Sequence, residues 1–283
     1  MNDPYRLLDA VEMTQITGTS YYQSGLYTPG TVMIQPAAFV RSVADGIRSN
    51  RVQIYEKSPV TALEAARNGW QVTTPKAKIS APQVILAVNG HLNSFGYKQG
   101  RLMHVFTYAS MTRPLTAQEN ATLGGDEVWG VTPADPMGTT VRRIASPQGN
   151  RIVIRNRFTF DPSMEVSDAR IARVGRDHDR AFRARFPMLG EIPMQYRWGG
   201  RLCLSRNNVN VVEELEQGLF AACCQNGLGT TRGTLGGVLA AELATGTPSD
   251  RLNRALAANA PSKLPPRPIA SAGAAAVLRW QER

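Results

Sequence analysis

The chain has 283 residues, 42% hydrophobic and 19% charged, which is enough apolar surface to bury a core in one large or two modest domains and too much for a disordered chain. No run approaches the roughly eighteen uninterrupted apolar residues of a membrane helix, and Met1-Asn2-Asp3-Pro4-Tyr5-Arg6 lacks the basic-then-apolar order of a signal peptide, so a cytoplasmic location and no membrane span are expected. The net charge of +10 is dispersed, with 8 basic and 6 acidic residues in 1–93, 14 and 10 in 94–196, and 10 and 6 in 197–283, which disfavours nucleic acid as a partner.

In chain order, the first predicted element is a helix. Pro36 suits a first helical turn, and Phe39, Val40, Val43, Ala44 and Ile47 recur at helical spacing until Ser49-Asn50. Val52 to Glu56 alternates with period two and predicts a strand. Val60 to Leu63 and Trp70 to Thr73 are short β-prone runs, with Asn68-Gly69 as a hairpin signal. Val84 to Val88 is continuous and apolar, as in a strand covered on both faces, and it ends at Asn89-Gly90.

From Ser94 to Tyr196 the pattern is antiparallel strands and one helix. Strands are expected at Val105 to Thr112, Val141 to Ile144 and Arg151 to Phe160, the last two joined by the Ser146–Asn150 turn. In the third, alternation predicts Ile152, Ile154, Phe158 and Phe160 on one face and Arg151, Arg155 and Arg157 on the other. With Arg142 and Arg143, these arginines form a dense group free of acids, read as a solvated strand face ahead of a polyanion site. Ile171 to Phe186 has helical spacing, and Tyr196 to Gly200 begins another strand and turn.

Near the end, Gly218 to Cys224 reads as a buried strand, Gln225-Asn226-Gly227-Leu228-Gly229 as a glycine loop, and Thr230 to Ala244 as a small-residue helix closed by Gly246. A helix start of this kind presents free N–H groups and about half a positive charge, which suits a phosphate or another electron-rich group. The spacing misses G-x-G-x-x-G by one residue, so a plain packing turn is the alternative reading. The prolines from Pro261 to Pro268 predict a linker before an alanine-rich docking helix. Three cysteines cannot make a disulfide framework, and Cys223 and Cys224 are expected to be buried thiols. The histidines His91, His104 and His178 are scattered singly, so no metal site is expected.

Four stretches carry a resemblance. They are Gly25 to Gly30 leading to Gln35-Pro36 and a helix; Ser58-Pro59-Val60; Val84 to Gly90; and Asn226-Gly227-Leu228-Gly229 with its helix to Gly246. In this order, supported by Trp198-Gly199-Gly200, they resemble the glycine oxidase, D-amino-acid dehydrogenase and γ-glutamylputrescine oxidase superfamily of FAD-dependent oxidoreductases over about Leu7 to Pro265. The family's loop after Trp-Gly-Gly usually carries a proline where this chain has Asn210.

The resemblance implies an α/β fold, α+β overall: an incomplete doubly wound FAD-binding domain, residues 1–93 and 197–262, an antiparallel-sheet substrate domain, 94–196, and a tail, 263–283. It implies FAD as cofactor, with Val60 near the adenine, Ala87, Asn89 and Gly90 beside the ADP part, and Gly227, Leu228, Gly229 and Thr230 facing the flavin ring. His104, Arg142, Arg143 and Arg201 are substrate-binding candidates, because an arginine can clamp a carboxylate through two parallel hydrogen bonds. No catalytic residue is assigned.

Such flavoproteins open with a strand, G-x-G-x-x-G and a helix, and nothing before Gly25 matches that pattern. The expected function is oxidation of an amine or amino acid to an imine by hydride transfer to flavin, with an N-terminal segment or partner chain completing the FAD domain. The alternatives are a non-catalytic remnant or partner subunit, and a tRNA-linked flavin oxidase.

Overall fold

The computed structural model of the protein describes residues 4–135, 137–266 and 273. In chain order the elements are β1 (Arg6–Leu8), α1 (Ala10–Thr17), β2 (Gly25–Tyr27), α2 (Pro36–Ile47), β3 (Ala62–Ala66), β4 (Gly69–Thr73), β5 (Lys78–Ala81), β6 (Val84–Leu86) and β7 (Leu102–Thr112). Then follow α3 (Ala117–Leu123), β8 (Trp129–Val131), β9 (Thr140–Ile144), β10 (Arg151–Phe160), α4 (Asp168–Arg185), β11 (Met194–Ser205), β12 (Val211–Glu216), β13 (Leu219–Cys223), α5 (Gly229–Ala244) and α6 (Asp250–Leu256). These form two compact units, 4–33 with 105–201 and 34–104 with 202–266. Of the predicted alanine-rich docking helix only Gly273 lies among the described residues.

The first unit is built on the sheet β11-β7-β10-β9-β8. On one face, Val141, Ile152 and Ile154 pack with Phe182 and Phe186 of α4 and its end, while Phe106 and Tyr108 pack with Val174. Side chains anchor α4: Ser167 accepts from the Arg170 N–H, Arg157 pairs with Asp177 at 3.0 Å, and Arg197 pairs with Asp179 at 2.8 Å. Phe182 is buried, and burying such a side chain stabilises by roughly 2–3 kcal/mol. Helix α1 was not expected from apolar spacing; it starts on a capping box in which Asp9 accepts from the Val11 and Glu12 N–H groups and Glu12 returns to the Asp9 N–H.

Two expectations for this unit are corrected. Strand β10 does not keep one alternation, because a bulge between Asn156 and Phe158 puts Arg157 at φ 63° and reverses the faces beyond it. Arg157 therefore turns to Asp177 of α4, and Phe158 joins the face of Arg155. The turn expected at Gly199-Gly200 is also absent, since β11 runs straight through. Gly199 is needed for close packing instead: a Cβ there would lie 3.2 Å from Val166 and 3.4 Å from Phe106.

The second unit contains the sheets β12-β13-β6 and β3-β4-β5. Strand β13 pairs antiparallel with β12 and parallel with β6, and Trp70, Leu86, Leu92, Leu219, Ala221 and Cys223 form its core. The β3–β4 hairpin docks on this core through Trp70, whose Nε1 donates to the Gln217 carbonyl at 3.1 Å.

Here too the sequence pattern overreaches. Val52 to Glu56 forms no strand, because alternation supplies a face but not a pairing partner, and Tyr55 is 68% exposed. Strand β6 is three residues long and edges its sheet, with Ile85 exposed, so it is covered on one face and not on both. Helix α2 forms as its spacing predicts, with Pro36 in its first turn and Gln35 accepting from the Ala37 N–H. Its apolar stripe is nonetheless bare: no residue of α2 is buried, and Val40 is 63% exposed. Among the described residues no helix is long and apolar enough to cross a membrane.

Candidate flavin-facing site

The parallel pairing of β6 with β13 sets their carboxyl ends side by side, Ala221 opposite Leu86. Beyond those ends the chain turns sharply on both strands. Asn89 (φ 48°), Cys224 (φ 60°), Asn226 (φ 52°) and Gly227 (φ 80°) all adopt left-handed conformations, which non-glycine residues hold only when their surroundings fix them. Hydrogen bonds do that fixing. Asn89 Oδ1 accepts from the Cys224 N–H at 3.1 Å, tying the two strand ends together. Asn226 Oδ1 accepts from the Ser205 N–H at 2.7 Å, and its Nδ2 donates to the carbonyls of Val209 and Cys224 and to Asn210 Oδ1. Asn210 thus serves as an acceptor where a proline would have no side chain to offer, and it also receives Arg232 Nη1 at 3.3 Å.

Helix α5 opens directly from this turn. Its N-cap is Leu228, which supplies no side-chain hydrogen bond, so the first N–H groups keep their donors for another acceptor. A Cβ built at Gly227 or at Gly229 would meet nothing within 4 Å, so the space beside both glycines is open. An uncapped helix start, a positive dipole end and open glycine backbone suit a planar, electron-rich group.

The sequence-predicted residues distribute as follows. Ala87, Asn89, Gly90 and the loop Gly227, Leu228, Gly229 and Thr230 all follow β6 or β13, and the Asn89 bond joins the two sets. His104 joins them: it occupies the position a Gly90 side chain would take, its Nδ1 2.9 Å from a Cβ built there, while its Nε2 bonds Asn93 Oδ1 at 3.0 Å. Val60 is exposed and precedes β3, a strand of the other sheet of this unit.

Arg142, Arg143 and Arg201 belong to the first unit. Arg143 is buried on the α4 face and donates to the Gly124 and Asp126 carbonyls and to Asn120 Oδ1, so its donors serve the fold. Arg142 points to the opposite face, and Arg201 is exposed on β11. The sequence reading missed Asn226 as the residue that organises the loop; its signal was the Asn-Gly pair, since asparagine tolerates the left-handed region.

The buried thiols differ: burial pushes Cys223 up to about 11, its Sγ donating to the Leu86 carbonyl, whereas the hydrogen bond with Cys203 lowers Cys224. Among the described residues no group of His, Cys, Asp and Glu is arranged to hold a metal ion.

The chain thus joins a parallel strand pair that ends in a glycine turn and an open helix start to an antiparallel sheet backed by a long helix. The chain belongs to the FAD dependent oxidoreductase family, whose pattern it matches over residues 1–243.

It is 24% identical over 264 residues to the gamma-glutamylputrescine oxidoreductase of Escherichia coli K12, covering 87% of this chain and 55% of that protein. It is 22% identical over 248 residues to the probable oxidoreductase OrdL of Haemophilus influenzae, covering 85% and 54%. The chain therefore spans about half the length of the curated relatives it matches. Among solved structures, glycine oxidase from Geobacillus kaustophilus superposes with a TM-score of 0.71 at 17% identity, covering 88% of this chain and 65% of that one. L-proline dehydrogenase from P. horikoshii gives 0.68 at 16%, covering 90% and 68%. These structures match the mixed α/β fold.

Proposed function

We propose that this chain supplies the flavin-ring side and the substrate side of an FAD-dependent oxidoreductase that converts an amine or amino acid to an imine. The observation that carries this reading is the turn between β13 and α5, where an uncapped helix start and two glycines with open space beside them follow the joined ends of two parallel strands. Gly227, Leu228, Gly229 and Thr230 would hold the flavin ring; Asn89 and Gly90 would support the loop beside the ADP part. When bound, FAD would accept a hydride from the substrate carbon that bears the amine, leaving an imine for water to hydrolyse. The protein's contribution is electrostatic and geometric. The first N–H groups of α5 would offer fixed positive charge to a flavin ring held at this turn, with no reorganisation needed. Gly90 lets His104 pack against the loop, and the bond of its Nε2 to Asn93 Oδ1 holds the ring in one orientation beside the site. The first unit is the substrate side, with Arg142 on the sheet face away from α4 and Arg143 committed to the Gly124 and Asp126 carbonyls on the α4 face.

A glycine-rich strand-turn-helix segment, on the same or another polypeptide, completes the FAD site. The bare apolar stripe of α2 and the β6 edge support this. The cofactor's pyrophosphate is its most charged part, and the family binds it on such a segment. The 283-residue chain alone should therefore retain little FAD, and co-expression with that module from a close relative should restore it. Flavin absorbance and its bleaching by amines or amino acids without oxygen measure both steps. A yellow, stable monomer holding stoichiometric FAD without the module would overturn the need for completion; a completed protein that stays colourless would overturn the flavin reading.

A further inference from the structure

The face of the first unit's sheet turned away from α4 carries two like charges side by side. Val141 of β9 and Ile152 and Ile154 of β10 point to α4, so alternation puts Thr140 and Arg142, and Val153 and Arg155, on the other face. The register pairs Arg142 with Val153 and Arg155 with Thr140, which makes the two arginines diagonal neighbours on adjacent strands. The bulge brings Phe158 to the same face, and the Arg155 guanidinium lies 5.3 Å from its ring centroid. The stem of Arg142 is seated over Gly130, where a Cβ would lie 2.7 Å from its Cδ.

Among the described residues neither guanidinium has a carboxylate partner, whereas Arg113, Arg157, Arg170 and Arg197 each pair with one. Arg142 donates to the Val131 and Val141 carbonyls and to Thr132 Oγ1; Arg155 reaches only Thr140 Oγ1, at 3.5 Å. Both are half-buried, and burial lowers the pKa of each, with the charge of Arg155 lowering Arg142 further. On neighbouring β7, Thr107 is two residues from the Ala109 that faces Arg155, and its Oγ1 is buried without a partner among the described residues. Two adjacent, desolvated cations are costly unless an anion offsets them. A guanidinium with unused in-plane donors matches a carboxylate, and two such groups match a doubly charged ligand.

We propose that Arg142 and Arg155, with Thr107 beside them, form a receptor for a dicarboxylate, so that the amine this protein oxidises belongs to the class carrying two carboxylates. The link to oxidation rests on the reading of the first unit as the substrate side; the anion binding does not.

The test is equilibrium binding of succinate to the chain without flavin, by calorimetry or ligand-observed NMR, with propionate and succinamide as the singly charged and neutral comparisons. Succinate should bind at least about tenfold more tightly than propionate, and succinamide should show no binding. Arg142→Gln and Arg155→Gln should each weaken succinate by about tenfold or more, while Arg173→Gln, which removes an exposed charge from α4, should leave it unchanged. Removing one of two repelling cations should not lower the melting temperature of Arg155→Gln, whereas a merely structural arginine would. Equal binding of succinate and propionate, or full succinate affinity in both variants, overturns the receptor. A chain that takes succinate but, when completed, never binds flavin supports the receptor and overturns the flavin reading; a completed chain that binds flavin but not succinate does the reverse.

Discussion

At the scale of single residues, the β13–α5 turn depends on backbone conformations that few side chains tolerate. Gly227 sits at φ 80°, where a β-branched residue is strained whatever the space around it. Gly233 lies within α5, and a Cβ there would meet Gln225 Cγ at 3.7 Å, an ordinary contact. Alanine is also the better helix former at that position, by about 1 kcal/mol. Gly227→Val is therefore expected to lower stability by at least about 1 kcal/mol and to abolish flavin retention in the completed protein, while Gly233→Ala keeps retention and stability at or above the parent. Thermal melts and the flavin-to-protein absorbance ratio of the two variants check this. Equal retention would count against the placement of the flavin at this loop.

At the scale of elements, the sequence was legible where a segment's own chemistry decides its conformation. The run Leu219–Cys223, the Asn-Gly turn and the small-residue helix α5 follow each other as their patterns predict. So do Pro36 at the head of α2 and the Ser146–Asn150 connection between β9 and β10. It was illegible where a neighbour decides. The bulge at Arg157 arises from the competing claims of the β7 ladder and of Asp177 on α4, and nothing in an alternating strand marks the residue that yields. Val52 to Glu56 has a strand's pattern without a strand's partner. The burial of His178 in α4 is likewise tertiary. Its Nδ1 meets Ser110 Oγ at 2.7 Å, and burial holds its pKa down to about 4 from 6.5. The unfolded chain thus binds a proton between those values that the folded chain does not. Stability should be full above about pH 6.5 and fall as pH drops towards 4, by on the order of 2 kcal/mol between pH 7 and pH 5 from this residue. Denaturant midpoints at the two pH values, for the parent and for His178→Gln, measure it. A variant that keeps the parent's full slope would remove His178 as its source.

At the scale of the whole molecule, the second unit leaves apolar surface uncovered in a pattern and not at random. Phe39, Val40, Val43 and Ile47 form one stripe of α2, and Ile85 is exposed on β6, an edge strand whose other side pairs with β13. Contiguous apolar surface and an open strand edge favour association with whatever can cover them, including another copy of the same chain. The net charge of +10 opposes that association at low ionic strength, since like molecules repel over about 10 Å at 0.1 M salt and less as salt rises. The chain alone should therefore self-associate with increasing protein concentration, and more strongly as salt is raised, the opposite of an association held by charge. Val40→Glu and Ile85→Lys place charges in the stripe and on the edge. Each should shift the equilibrium towards monomer by roughly tenfold in dissociation constant, as expected for loss of about 1–2 kcal/mol of apolar burial. Neither substitution should lower the melting temperature, because neither side chain is buried within the chain. Sedimentation velocity across a concentration series at two salt levels reads all of this. A parent chain that stays monomeric throughout, or association that weakens with salt, would show that the bare α2 stripe and the β6 edge are not sticky surfaces and would remove the argument that they await a covering segment.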